Sequence, residues 1–130
     1  MIVLDASAAI EWLFRSPKGL KIDRRISPPS ESLHAPHLLD LEVTQVLRRF
    51  VRGKAITEHR ALESLDDLAD LPLRRYPHDF LLPRVWDLRA TLTAYDAIYV
   101  ALAELLDAPL LSCDRRIASA SGHRASVEIV

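Results

Sequence analysis

Four carboxylates stand inside otherwise apolar stretches of this chain. Asp5 closes Met1-Ile-Val-Leu-Asp5 and is followed at once by Ala6-Ser7-Ala8-Ala9-Ile10. Glu42 lies in His37-Leu-Leu-Asp-Leu-Glu-Val43, Asp96 in Leu92-Thr-Ala-Tyr-Asp-Ala-Ile98, and Asp114 ends Pro109-Leu-Leu-Ser-Cys-Asp114. A carboxylate in an apolar run is costly unless something neutralises it. Two of them about 4 Å apart repel by about 4 kcal/mol at an effective dielectric near about 20, and their pKa values split. A shared divalent cation with oxygen ligands, Mg²⁺ or Mn²⁺, removes that penalty. It would also make the cluster a phosphodiester-cleaving device, because such an ion activates water, polarises a phosphoryl oxygen and steadies a leaving oxygen. Mg²⁺ takes only one or two direct carboxylates as a rule, so the other acids would hold water or orient the nucleophile. Ser7 is placed to donate a hydrogen bond to the same cluster.

Each acid taken alone has a plainer role. Asp5 and Asp114 suit helix N-caps, Glu42 suits a helix surface, and Asp96 suits a cap or an arginine partner. Asp40, Glu104 and Asp107 lie near the proposed sites and are decoys for the same reading. His34 and His37 straddle Pro36, which removes a helical i, i+4 metal pair. Cys113 reads as core. Arg15, Arg115 and Arg116 follow acid-bearing segments closely and are the candidates for phosphate contact.

The elements that must position these residues follow from hydrophobic period and caps. Residues 2–5 read as a buried strand, and a helix runs from near Ser7 to about residue 14. A short helix is expected around 20–25, and a strand at 33–35. Residues 37–52 read as a helix between Pro36 and Gly53. Thr57 opens another that ends before Pro72. A strand at 73–76 and a helix at 79–90, irregular at Pro83, come next. Residues 93–107 form the clearest amphipathic pattern. Strands at 110–113 and 127–130 flank a helical turn at 115–120. This alternation predicts an α/β fold with a parallel sheet. Ligand crevices in such sheets lie beyond the strands' carboxyl ends, where Asp5 and Asp114 fall.

The chain has 130 residues, 49% hydrophobic, with a net charge of −1, which suits one domain over 1–130 and offers no global field for nucleic acid. A single cysteine excludes an intrachain disulfide and suits a reducing cytoplasm. No apolar run reaches the roughly 20 residues that span a membrane. The N-terminus does not read as a signal peptide.

The opening Ile2-Val-Leu-Asp-Ala-Ser-Ala-Ala-Ile10 resembles the first strand and first acid of the PIN domain family, more narrowly of VapC-type toxins from toxin–antitoxin pairs. Ala35-Pro-His-Leu-Leu-Asp-Leu-Glu-Val43 resembles its second acid motif. Leu92-Thr-Ala-Tyr-Asp-Ala-Ile-Tyr-Val-Ala-Leu-Ala103 resembles the third, and Leu110-Leu-Ser-Cys-Asp-Arg-Arg116 the last. The resemblance implies a three-layer α/β/α fold and a Mg²⁺- or Mn²⁺-dependent endoribonuclease acting on RNA. It implies Asp5, Glu42, Asp96 and Asp114 in catalysis, with Asp5, Asp96 and Asp114 on the metal, and Ser7 and Ser112 as supporting hydroxyls. It further implies a homodimer and a cognate VapB-type antitoxin. Trp12 and Phe14, beside the connection at 15–35, are candidate antitoxin anchors.

Two other readings stay open at the level of sequence. One is a PIN nuclease that processes RNA without a toxin role; a minimal domain with no targeting extension weighs against it. The other is a non-catalytic acidic-pocket signalling or binding domain. A phospho-receiver would want a lysine near its last strands, and 110–114 and 127–130 carry none.

Overall fold

The computed structural model describes every residue from Met1 to Val130. Five short strands form one all-parallel sheet: β1 (Ile2–Leu4), β2 (Leu33–Pro36), β3 (Leu73–Tyr76), β4 (Leu110–Ser112) and β5 (Val127–Ile129), in the order β3-β2-β1-β4-β5. Parallel neighbours need crossover connections, and helices supply them. α1 (Ala6–Leu13) and α2 (Pro17–Ile26) lead from β1 to β2; α3 (Leu38–Arg52) and α4 (Glu58–Asp70) lead from β2 to β3. A 3₁₀ turn (Asp79–Leu81), α5 (Leu82–Asp87) and α6 (Ala94–Leu106) return to β4, and α7 (Arg115–Ser119) leads to β5. The chain steps outward from β1 to β3 and then back across to β4. Right-handed crossovers therefore set α1–α4 over one face and α5–α6 over the other, giving the three layers expected.

Burial explains the strand sequences. Ile2, Val3 and Leu4 are wholly buried, as a strand covered on both faces must be, so β1 reads as a continuous apolar run. The core continues into α6, where every residue from Ala97 to Ala103 is buried. The expected amphipathic stripe is thus a correction: α6 lies across β1, β2 and β4 and is enclosed on nearly all sides.

Local chemistry sets most helix ends. Ser16 Oγ accepts from the Gly19 N–H and Pro17 takes the first turn, so α2 begins earlier than expected and runs Pro17–Ile26. Thr57 and Thr93 cap α4 and α6 in the same way. The helix expected at 79–90 is instead a 3₁₀ turn followed by α5, with Pro83 in the first turn of α5, where a missing N–H costs nothing. α3 has no local cap: His37 offers none, and His78 Nε2, 40 residues on, accepts from the Leu38 N–H at 2.9 Å. α1 and α2 pack so closely that a Cβ on Gly19 would lie 2.0 Å from the Glu11 carbonyl oxygen.

Strand order reverses at β1, whose neighbours β2 and β4 are reached by opposite crossovers. The sheet opens a crevice there, beyond the carboxyl ends of β1 and β4.

Candidate active site

Asp5 leaves β1 at that crevice and caps α1. Its Oδ1 accepts from the Ala8 N–H at 2.9 Å and from Ser7 Oγ at 2.7 Å, and its Oδ2 accepts from Ser112 Oγ. Ser7 Oγ in turn accepts from the Cys113 N–H, and Ser112 Oγ from the Asp114 N–H, both at 2.9 Å. Two hydroxyls therefore clip the loop after β4 to the carboxylate after β1. Ser7 braces the capping aspartate rather than capping α1 itself. Asp5 is only 4% exposed. Burial pushes its carboxyl above the usual range; the three hydrogen bonds oppose that shift, and the Asp114 charge adds to it.

Glu42 projects from α3 and accepts from the Tyr99 hydroxyl at 2.5 Å. Burial raises its pKa, the tyrosine counteracts, and the charges of Asp96 and Asp5 raise it again. Tyr99 is 2% exposed. Burial and its bond to Glu42 drive its own pKa up, so it stays a donor. Asp96 lies in the first turn of α6, held by the cap in which Thr93 Oγ1 accepts the Asp96 N–H. Asp114 caps α7 and pairs with Arg116, whose guanidinium lies 2.7 Å from Oδ2 and holds the carboxyl below its usual range.

All four acids line one open cleft of about 720 Å³, which Ser7 and Arg116 also line. Ser112 lies beneath it, fully buried against Asp5. Arg115 and Arg15 do not line it. Arg115 is exposed on α7, and Arg15, with a left-handed backbone (φ 54°), borders a separate groove with Trp12, Asp67 and Asp70. The three decoys have other work. Asp40 pairs with Arg75, the nearly buried Glu104 side chain pairs with Arg84, and Asp107 ends α6 in the left-handed region. Cys113 is half-buried at the cleft, and burial pushes its thiol up. Phe14 stacks on Phe50 at 5.5 Å, and Trp12 donates its indole N–H to Asp23 at 2.8 Å. His34 bridges Ser32 and Tyr76.

Sequence reasoning passed over Glu11, Tyr95, Tyr99 and Arg49, which share the cleft. For two of them a signal existed. Tyr99 is three residues after Asp96, and Arg49 seven after Glu42, so each shares a helix face with its acid.

The donor set suits a hard divalent cation. It consists of carboxylate and hydroxyl oxygens, and two of the carboxylates are kept from easy ionisation by burial first and by the charge of neighbouring acids second. No three acidic, histidine or cysteine side chains are arranged to clasp an ion directly. That spacing matches an ion that retains several waters and takes one or two carboxylates.

Comparison with known proteins gives a consistent picture. The family model described as PIN domain matches residues 2–122. Ribonuclease VapC12 of Mycobacterium tuberculosis is 42% identical over 130 residues, covering 100% of this chain and 99% of its own. Ribonuclease VapC1 of the same organism is 43% identical over 129 residues, covering 98% and 96%. Among solved structures, the M. tuberculosis toxin VapC20, described as cleaving the sarcin-ricin loop, superposes with a TM-score of 0.71 at 13% identity, over 95% of this chain and 97% of that one. VapBC2 from Rickettsia felis, bound to a promoter DNA fragment, gives 0.74 at 12% identity, over 99% and 98%. At such identity these two likenesses speak for the fold.

Proposed function

The chain belongs to the PIN domain family, among the VapC ribonucleases, and from that membership we propose that it is the toxin of a toxin–antitoxin pair, an endoribonuclease that hydrolyses RNA phosphodiester bonds. The observation that carries this reading is the convergence of Asp5, Glu42, Asp96 and Asp114 on one cleft at the sheet's switch point. Asp5, Asp96 and Asp114 would hold Mg²⁺ or Mn²⁺, one or two of them directly and the rest through its waters, with Glu42 beside them. When bound, the cation polarises the phosphoryl oxygen and makes water a better nucleophile.

The chain's own residues do the rest. Ser7, Ser112 and the Ala8 N–H fix Asp5 in one orientation, so its carboxylate needs no reorganisation when the ion arrives. Tyr99 steers one oxygen of Glu42 and leaves the other to orient a water. Arg116 pairs with Asp114 from a largely exposed position, so the bond is weak and the guanidinium is free to turn to a phosphate. Residues 1–130 act as one unit in this reading, because the acids come from both ends of the chain. A VapB-type antitoxin is the partner that blocks the cleft. Phe80, Leu82 and Trp86, each at least half exposed, support an interface between two copies. No helix is long and apolar enough to cross a membrane, and an RNA substrate sets the activity in the cytoplasm.

Substitution separates this site from its decoys. Asp5→Asn and Asp96→Asn should each lower metal-dependent RNA cleavage by about 100-fold or more while leaving the circular dichroism spectrum intact. Asp40→Asn, outside the cleft, should cut like wild type. Full activity in both cleft variants would falsify the assignment.

A further inference from the structure

We propose that Tyr95 and Leu41 form a shelf that receives one unpaired RNA base next to the cleaved phosphodiester; this rests on the ribonuclease reading above. The two are among the most exposed large apolar side chains of the molecule, at 64% and 70%, and both line the acidic cleft. Each directly precedes a cleft acid, Leu41 before Glu42 on α3 and Tyr95 before Asp96 on α6. Neighbouring residues on a helix point about 100° apart. An acid that faces the cleft therefore sets the residue before it toward the rim. Folding leaves these two side chains mostly in solvent, whereas Ile98 and Val100 on the helix of Tyr95 are buried.

The surroundings favour a nucleotide over a protein helix as occupant. Arg49 and Arg116 line the same cleft, and Arg49 takes part in none of the molecule's ion pairs. Flat apolar surface interleaved with carboxylates and guanidiniums matches a ligand that alternates a planar base with a charged backbone. An aromatic face stacks on any base, but only on one that is not already stacked in a duplex. The shelf thus selects single-stranded or splayed-out RNA and leaves base identity to other contacts.

The test uses antitoxin-free protein with Mn²⁺ and a short RNA containing its mapped cut site. Tyr95→Ala should lower kcat/KM by about 5- to 150-fold, the value of stacking one base, and Tyr95→Phe should restore it. An abasic nucleotide at one flanking position should impair wild type equally and add no further loss in Tyr95→Ala. In a cleavage-dead Asp5→Asn background, 2-aminopurine at that position should be quenched on binding and unquenched with Tyr95→Ala. Wild-type kinetics in Tyr95→Ala, or an undiminished abasic penalty in that variant, would overturn the shelf. Wild-type kinetics together with weakened antitoxin binding would assign these residues to the protein partner instead. A wild-type protein that cuts no RNA would remove the ribonuclease reading, and the shelf with it.

Discussion

Glu42 holds its proton more tightly in the folded chain than in the unfolded one, chiefly because burial disfavours its charge. Between the unfolded and folded pKa values the folded state binds more protons, so stability falls as pH rises through that window. Above it, the metal-free fold carries a desolvated charge. Glu42→Gln keeps an acceptor for the Tyr99 hydroxyl and removes that charge. Metal-free Glu42→Gln should therefore melt a few degrees above wild type at about pH 8, a gain of about 1 kcal/mol or less given that the site is only partly buried. The gain should vanish at about pH 3, where wild type is protonated in both states. Calorimetric scans at the two pH values, with and without Mn²⁺, check this; Mn²⁺ should stabilise wild type more than the variant. A pH-independent difference would mean that the charge is not strained. Asp5 follows the same logic more strongly in burial, but its three donors make an asparagine there a less clean probe.

The elements that carry the acids are held by contacts of two kinds, and only one kind is visible in sequence. The caps Asp5, Thr57, Thr93 and Asp114 act within three residues, so residue type and position announce them, whereas the Ser16 cap, equally local, was passed over with the start of α2. The cap of α3 is supplied by His78 from another connection, and nothing near His37 signals it. The enclosure of α6 likewise depends on which strands it crosses, so an apolar stripe was legible and a buried helix was not. Close approach is equally non-local. Gly19 lies over the Glu11 carbonyl, where a methyl group has no room. Gly19→Ala should destabilise the protein by about 1–3 kcal/mol through overpacking of α1 on α2, read as a lower urea midpoint at unchanged slope. A midpoint equal to wild type would show that the two helices part easily. Because α1 begins at Asp5, separation that disturbs its first turn would also reach the cleft.

On the scale of the whole molecule, the strand order decides why four distant acids meet. β1 and β4 are neighbours only because the chain crosses back over the sheet, and that crossing brings Tyr99 and Asp96 of α6 to the same cleft as Glu42 of α3. The acids themselves were legible because each breaks an apolar run at an element end or on a helix. Glu11 and Tyr95 were not, because only the fold turns their helix faces to the same space. Arg15 shows the converse: nearness in sequence to Asp5 did not bring it into the cleft, since α1 carries it to a separate groove. A net charge of −1 fits this arrangement, because several arginines are committed to ion pairs, as Arg25, Arg75 and Arg84 are. In the proposed reading, recognition of RNA falls to the local cations of the cleft, Arg49 and Arg116. The most direct measurement is cleavage of total RNA by purified, antitoxin-free protein with Mg²⁺, with Mn²⁺ and with EDTA, beside Asp5→Asn. Discrete cuts that need the metal and disappear in Asp5→Asn are the expected result. Intact RNA with either metal, from protein shown to be folded, or cuts that persist in EDTA, would contradict it.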